Sequence, residues 1–153
     1  MNKGINVLSL FDGMSGGQQA LKELGVPVKN YYASEIDKYA IQVTQANFPD
    51  TVQLGDVTQL NIEELKKLDI DLMIYGAPCQ GFSMAGKRLN FEDPRSQLLF
   101  LATDIRDELN PKWWLSENVV MSKEIKSEVD EYLGVVGEKV DSSYFTPARR
   151  VRD

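Results

Sequence analysis

The sequence predicts an α/β domain in which a mostly parallel sheet carries helices on both faces, and three observations predict it. Short runs of β-forming residues alternate with stretches of helical periodicity along the chain, the pattern of a parallel sheet. Small residues and helix caps follow the strands. The 153 residues, 42% hydrophobic and 26% charged, make about one globular domain without internal repeats or low-complexity segments.

Gly4 to Phe11 (GINVLSLF) is an apolar strand, and Asp12-Gly13-Met14-Ser15-Gly16-Gly17 turns out of it. Ala20, Leu21 and Leu24 recur at helical spacing before Gly25, a helix stop, and Val28 to Ser34 completes a first βαβ unit. Asp37 caps a helix through Ala40, Ile41, Val43 and Thr44 to about Asn47, and a short strand runs from Thr51 to Leu54. Asn61 caps the helix IEELKKL, and Ile70 to Tyr75 is the most apolar strand, leading into Gly76-Ala77-Pro78-Cys79-Gln80-Gly81. Residues 81 to 93 read as a long mobile surface loop. Asp93-Pro94 opens a helix whose face is Leu98, Leu101, Ala102, Ile105 and Leu109, and Asn110-Pro111 stops it. Trp113 to Val119 is a strand, Ser122 to Leu133 an acidic surface helix, and Val135 to Val140 a last strand.

Composition removes several chemistries. With no histidine there is no Ser-His-Asp triad, no HExxH zinc site and no imidazole proton shuttle, and a single cysteine removes disulfide scaffolds and cysteine zinc clusters. No metal site is expected. The most apolar stretch, Ile70 to Ala77, falls far short of the ~20 residues of a membrane span, and the N-terminus lacks a signal-peptide pattern, so a cytoplasmic protein without membrane partners is expected. A net charge of −6 argues against a broad basic field for nucleic acid. Arg149, Arg150 and Arg152, with Lys87, Arg88 and Arg95, are either a local positive rim or ordinary solvated charge.

In parallel sheets ligands bind beyond the carboxyl ends of the strands, where this chain carries the glycine turn, Glu35, the Cys79 loop and Glu117. The turn lacks both GxGxxG spacing and a P-loop GKS/GKT ending, so it is a close-approach backbone or a plain strand-helix turn rather than a phosphate cradle. Glu35 stands 22 positions after Gly13, where nucleotide-binding folds place an acid against ribose hydroxyls; the alternative is a solvated glutamate. Asp56 is either an acceptor for an adenine amino group or an Asx turn. Cys79 is an accessible thiol on a loop or a small buried hydrophobe. Glu117 and Asn118 end an apolar strand, where burial favours a protonated carboxyl that donates hydrogen bonds.

Together these residues resemble the cytosine carbon-5 DNA methyltransferases, a family that uses S-adenosylmethionine. Phe11-Asp12-Gly13 with Gly16-Gly17 resembles the family's cofactor loop, Ser34-Glu35-Ile36-Asp37 its ribose-binding acid, Gly55-Asp56-Val57 its adenine segment and Ala77-Pro78-Cys79-Gln80 its nucleophile loop. Asp93 to Phe100 is similar to the following helix, and Glu117-Asn118-Val119 to the Glu-Asn-Val signature. The family's Gln-x-Arg-x-Arg stands here as Ala148-Arg149-Arg150-Val151-Arg152, with alanine in place of glutamine.

The resemblance implies a Rossmann-like S-adenosylmethionine-dependent methyltransferase fold. It also implies that residues 1–153 form a catalytic domain ending before a target recognition domain. Phe11, Asp12, Gly13, Gly16, Gly17, Glu35, Ile36, Asp56, Val57 and Pro78 would bind the cofactor. Cys79, Glu117 and Arg150 would be catalytic, and Gln80, Ser83, Lys87, Arg88, Asn118 and Arg152 would hold a cytosine flipped out of double-stranded DNA, with the stretch 81–88 closing on it. A separate recognition subunit or a missing C-terminal half would be the partner. The other readings are a catalytically silent regulatory paralogue and an RNA cytosine methyltransferase, since relatives with the same loop modify transfer RNA.

Overall fold

The computed structural model describes residues 4–78, 94–145 and 151–152. The chain forms two compact units, Met1–Gly76 with Asp104–Ser116, and Ala77–Thr103 with Glu117–Asp153. In the first unit β1 (Ile5–Leu10), β2 (Val28–Ser34), β3 (Val52–Gln53), β4 (Leu72–Tyr75) and β5 (Trp113–Ser116) form one sheet in the order β3-β2-β1-β4-β5, every pair parallel. The helices are α1 (Gly16–Glu23), α2 (Lys38–Asn47), α3 (Ile62–Lys66) and the end of α4 (Pro94–Leu109). The predicted α/β class is the observed one.

Covered on both faces, β1 needs apolar residues in succession, and Val7, Leu8 and Leu10 are all buried. One face packs Val7, Tyr31 and Ala33 on Leu21 of α1, with Leu72 and Ile74 at the margin. The other carries Met73, Tyr75 and Trp114; Arg106 of α4 lies 4.3 Å from the centre of the Trp114 ring. Helices therefore cover both faces. The expected caps form: Asp37 accepts from the Tyr39 and Ala40 N–H groups, and Asn61 from those of Glu63 and Glu64, each cap worth ~1 kcal/mol.

The strands are shorter than their sequence patterns because pairing ends them. Leu10 pairs with both Ser34 and Tyr75, and Tyr75 with Ser116, so four strands finish in one level row. β5 stops at Ser116 rather than Val119, having no paired residue on β4 beyond Tyr75. At the opposite, amino edge, Asn6 donates to the Leu68 and Asp69 carbonyls at 3.0 Å each and accepts from Asn30 at 2.8 Å.

In the second unit α5 (Lys123–Leu133) is capped by Ser122 and stopped by Gly134 at φ 72°, burying Ile125 and Val129. Phe100 meets Tyr132 edge to face at 4.4 Å. The strand expected over Val135 to Val140 does not form; β6 is only Val140–Asp141, antiparallel to β7 (Val151–Arg152). Side chains of α5 take the place of a ladder. Asp130 accepts from the Gly137 N–H at 3.0 Å, and Lys126 donates to the Gly137 carbonyl at 2.9 Å and to Asp130 at 2.8 Å. Among the described residues no helix is long and apolar enough to cross a membrane.

Candidate functional site

Beyond the level row the next residues along the chain are Phe11, Glu35, Gly76 and Glu117. The loop after β1 is the most unusual backbone of the four. Phe11, Gly13 and Ser15 all take left-handed conformations, at φ 57°, 58° and 59°. For Phe11 and Ser15 that costs about 1–3 kcal/mol each, a strain that surrounding bonds must hold in place. The sequence pointed to glycine for such conformations; two of the three positions are not glycine.

Four side-chain contacts hold the loop, and the Asp12 N–H also donates to the Ser34 carbonyl at 3.2 Å. Glu35 Oε2 accepts from the Gly13 N–H at 2.8 Å, while Oε1 accepts from the Ile36 and Asp37 N–H groups at 2.7 and 2.9 Å. Asp12 Oδ1 accepts from the Tyr31 hydroxyl at 2.9 Å, and Oδ2 from the Ser15 hydroxyl. The Thr44 hydroxyl donates to the Gly13 carbonyl at 3.4 Å. Both Asp12 oxygens are thus engaged within the site, one to its own loop and one to β2. Tyr31, Ser15 and Thr44 escaped the sequence reading because nothing marks a tyrosine or threonine inside an ordinary strand or helix as a loop anchor.

The two helix-opening glycines differ. A Cβ at Gly17 would stand 3.1 Å from Ile74 Cδ1 and 3.2 Å from the Tyr31 hydroxyl, so packing requires the glycine. A Cβ at Gly16 would meet nothing within 4 Å, and no part of the described fold requires glycine there. Their N–H groups begin α1 and have no partner within the helix. Ile36 is exposed beside Glu35. Asp56 caps a 3₁₀ turn, Oδ1 accepting from the Thr58 N–H and hydroxyl at 2.9 Å each; this is the Asx geometry, and it leaves Oδ2. Val57 behind it is buried, and the Ser34 hydroxyl fixes the Gly55 carbonyl at 2.7 Å.

In the second unit Ala77 is buried and Pro78 exposed. Glu117 is exposed, and the burial expected for it falls on Asn118, whose Oδ1 accepts from the Val119 N–H at 2.8 Å. Asn118 Nδ2 is buried without a hydrogen-bond partner among the described residues. Arg152 stands in β7 opposite Val140. Cys79, Gln80, Ser83, Lys87, Arg88, Arg149 and Arg150 lie outside the described residues, as do the expected 81–93 loop and the Asp93 cap. Among the described residues no cluster of carboxylate or cysteine ligands is arranged to hold a metal.

The model of the C-5 cytosine-specific DNA methylases matches residues 5–142, from β1 through the 3₁₀ turn after β6. The chain belongs to this family. The type II methyltransferase M.NlaIV of Neisseria lactamica is 40% identical over 119 residues, which cover 75% of this chain and 28% of that protein. For the type II methyltransferase M.HhaI of Haemophilus parahaemolyticus the figures are 39% over 116 residues, 76% and 34%. The chain therefore spans about a third or less of these relatives. Among solved structures, a Spodoptera frugiperda DNMT2 mutant superposes with a TM-score of 0.74 at 28% identity, over 97% of this chain and 48% of that one. The S. pombe Dnmt2 methyltransferase gives 0.77 at 25%, over 97% and 49%. The Rossmann-like methyltransferase fold expected from the sequence is thus the fold of the family.

Proposed function

We propose that this chain is the catalytic portion of a DNA (cytosine-5-)-methyltransferase that takes its methyl group from S-adenosylmethionine. The observation that carries the reading is the Glu35 carboxylate bonded to the Gly13 N–H across the mouth of the glycine loop, in a chain of this family. An ionised carboxylate has about four acceptor positions. Backbone N–H groups take three of them here, which leaves one on Oε2 for a ribose hydroxyl. Asp56 Oδ2 suits an adenine amino group, Ile36 and Val57 offer apolar flanks, and the open space at Gly16 suits a ligand approaching the first N–H groups of α1. The donor set fits the cofactor, with Phe11, Gly13, Gly17 and Pro78 completing it.

When bound, S-adenosylmethionine supplies an electrophilic methyl group on a sulfonium. Cytosine carbon-5 is too weak a nucleophile to take it unaided. The Cys79 thiolate would add to carbon-6, breaking aromaticity and giving carbon-5 enamine character. Glu117 would hold the ring nitrogen and exocyclic amine, and Arg150 the carbonyl oxygen, so that charge developing in the ring is met by donors. Loss of the carbon-5 proton to water and expulsion of the thiolate would complete the cycle. Gln80, Ser83, Lys87, Arg88, Asn118 and Arg152 would contact the flipped base and its strand. Target recognition would come from a separate subunit or a further stretch of chain.

Calorimetric titration with S-adenosylmethionine, wild type beside Glu35→Ala, tests the cofactor half. Micromolar binding, about −8 kcal/mol, is expected, weakened by about 1–3 kcal/mol in the variant. Equal affinities would remove Glu35 from the site. Methyl transfer to DNA, with RNA as the competing acceptor, then decides the substrate.

A further inference from the structure

We infer that Tyr31, which lies beneath the loop of residues 11–17 and outside the contacts assigned above, is a positioning residue that sets this loop for the carboxylate end of S-adenosylmethionine; the inference rests on the cofactor reading. The phenol is 2% exposed, with its ring among Val7, Leu21 and Ala33. Its hydroxyl donates to Asp12 Oδ1 at 2.9 Å. That bond joins β2 to the loop.

Burial, reinforced by the Asp12 carboxylate, pushes this hydroxyl well above the usual tyrosine range, so it remains a protonated donor at any working pH. Gly17 brings α1 down onto it, since a Cβ there would lie 3.2 Å from the phenol oxygen. The strained conformations at Phe11 and Ser15 need such external bonds, because neither residue type adopts φ near 58° by preference. Ser15 is tied through Asp12, and Asp12 through Tyr31. Releasing the phenol therefore removes the bond that fixes the Asp12 carboxylate under Ser15, next to the Gly16 and Gly17 N–H groups, the donors suited to an anionic ligand end. Glu35, on the ribose side, keeps its own backbone bonds to Ile36 and Asp37 without Tyr31.

The test is calorimetry on the full chain with two probes. S-adenosylmethionine has the carboxylate; 5′-methylthioadenosine has the nucleoside and thioether without it. Tyr31→Phe should weaken S-adenosylmethionine about tenfold and leave 5′-methylthioadenosine within twofold. Asp12→Ala breaks the same bond from the loop side and carries the test if Tyr31→Phe does not fold. The Asp12→Ala, Tyr31→Phe double variant should bind no more weakly than Asp12→Ala, as expected for two ends of one bond. Unchanged S-adenosylmethionine affinity in Tyr31→Phe, or equal weakening of both probes, overturns the inference and leaves the cofactor reading intact. A wild-type chain that binds neither probe overturns both.

Discussion

The two edges of the first unit's sheet are built on opposite principles. At the amino edge Asn6 has every side-chain polar group engaged, and its N–H donates to Asp71 at 2.9 Å. The left-handed non-glycine residues there, Asp69 at φ 52° and Asn110 at φ 44°, are of types that tolerate that conformation. At the carboxyl edge a phenylalanine and a serine are held left-handed, and the Tyr75 hydroxyl, at the end of β4, is fully buried without a hydrogen-bond partner among the described residues. One edge satisfies its polar groups within the chain; the other accepts strain and an orphaned donor. Departures from local rules gather where ligands bind and need compensation elsewhere.

Substitutions at the two edges should separate accordingly. The largest effect is expected for Cys79→Ala, four positions along the chain from the end of β4: methyl transfer should fall to background with the melting temperature unchanged, and turnover retained in a labelled-methyl assay would take Cys79 out of the mechanism. Asn6→Ala at the amino edge should do the reverse. Stripping partners from the Leu68 and Asp69 carbonyls should cost about 1–3 kcal/mol in denaturant unfolding, with S-adenosylmethionine affinity within twofold of wild type. A large loss of affinity there would show that the edges are coupled. Gly17→Ala should affect both quantities, since its Cβ would press on Ile74 and Tyr31; about 1–3 kcal/mol of stability is expected to go, along with affinity. Gly16→Ala is the smallest change. Its Cβ enters open space, so thermal stability should stay within about 0.5 kcal/mol while cofactor affinity drops, and unaltered affinity would mean that no ligand approaches there.

The sequence disclosed the fold because local signals agreed with it. β1 and β4 carry apolar runs suited to a buried parallel sheet, and Asp37 and Asn61 announce their helices with caps that form. Glu35 was singled out for a ligand by its 22-position spacing from Gly13; its bond to the Gly13 N–H at 2.8 Å was not foreseen. What stayed hidden depends on long-range geometry. Val135 to Val140 has strand composition, yet side chains from α5 engage the Gly137 backbone before any ladder can. Glu117 ends an apolar run, but β5 has already lost its neighbour at Ser116, so exposure goes to the glutamate and burial to Asn118. Tyr31 reads as one more aromatic β-former; its role comes from where Asp12 lies in space.

The level finish of the strands at Leu10, Ser34, Tyr75 and Ser116 bears on which length changes the chain can survive. Residues added after that row, outside the tied segments 11–17 and 35–37, lengthen a loop at little energetic penalty, since closure entropy grows only with the logarithm of loop length. One residue added before it in β1 would advance the Phe11 loop by about 3.3 Å and turn each later strand side chain to the opposite face. Insertions and deletions among related chains are therefore expected to accumulate beyond the row and to be nearly absent from β1.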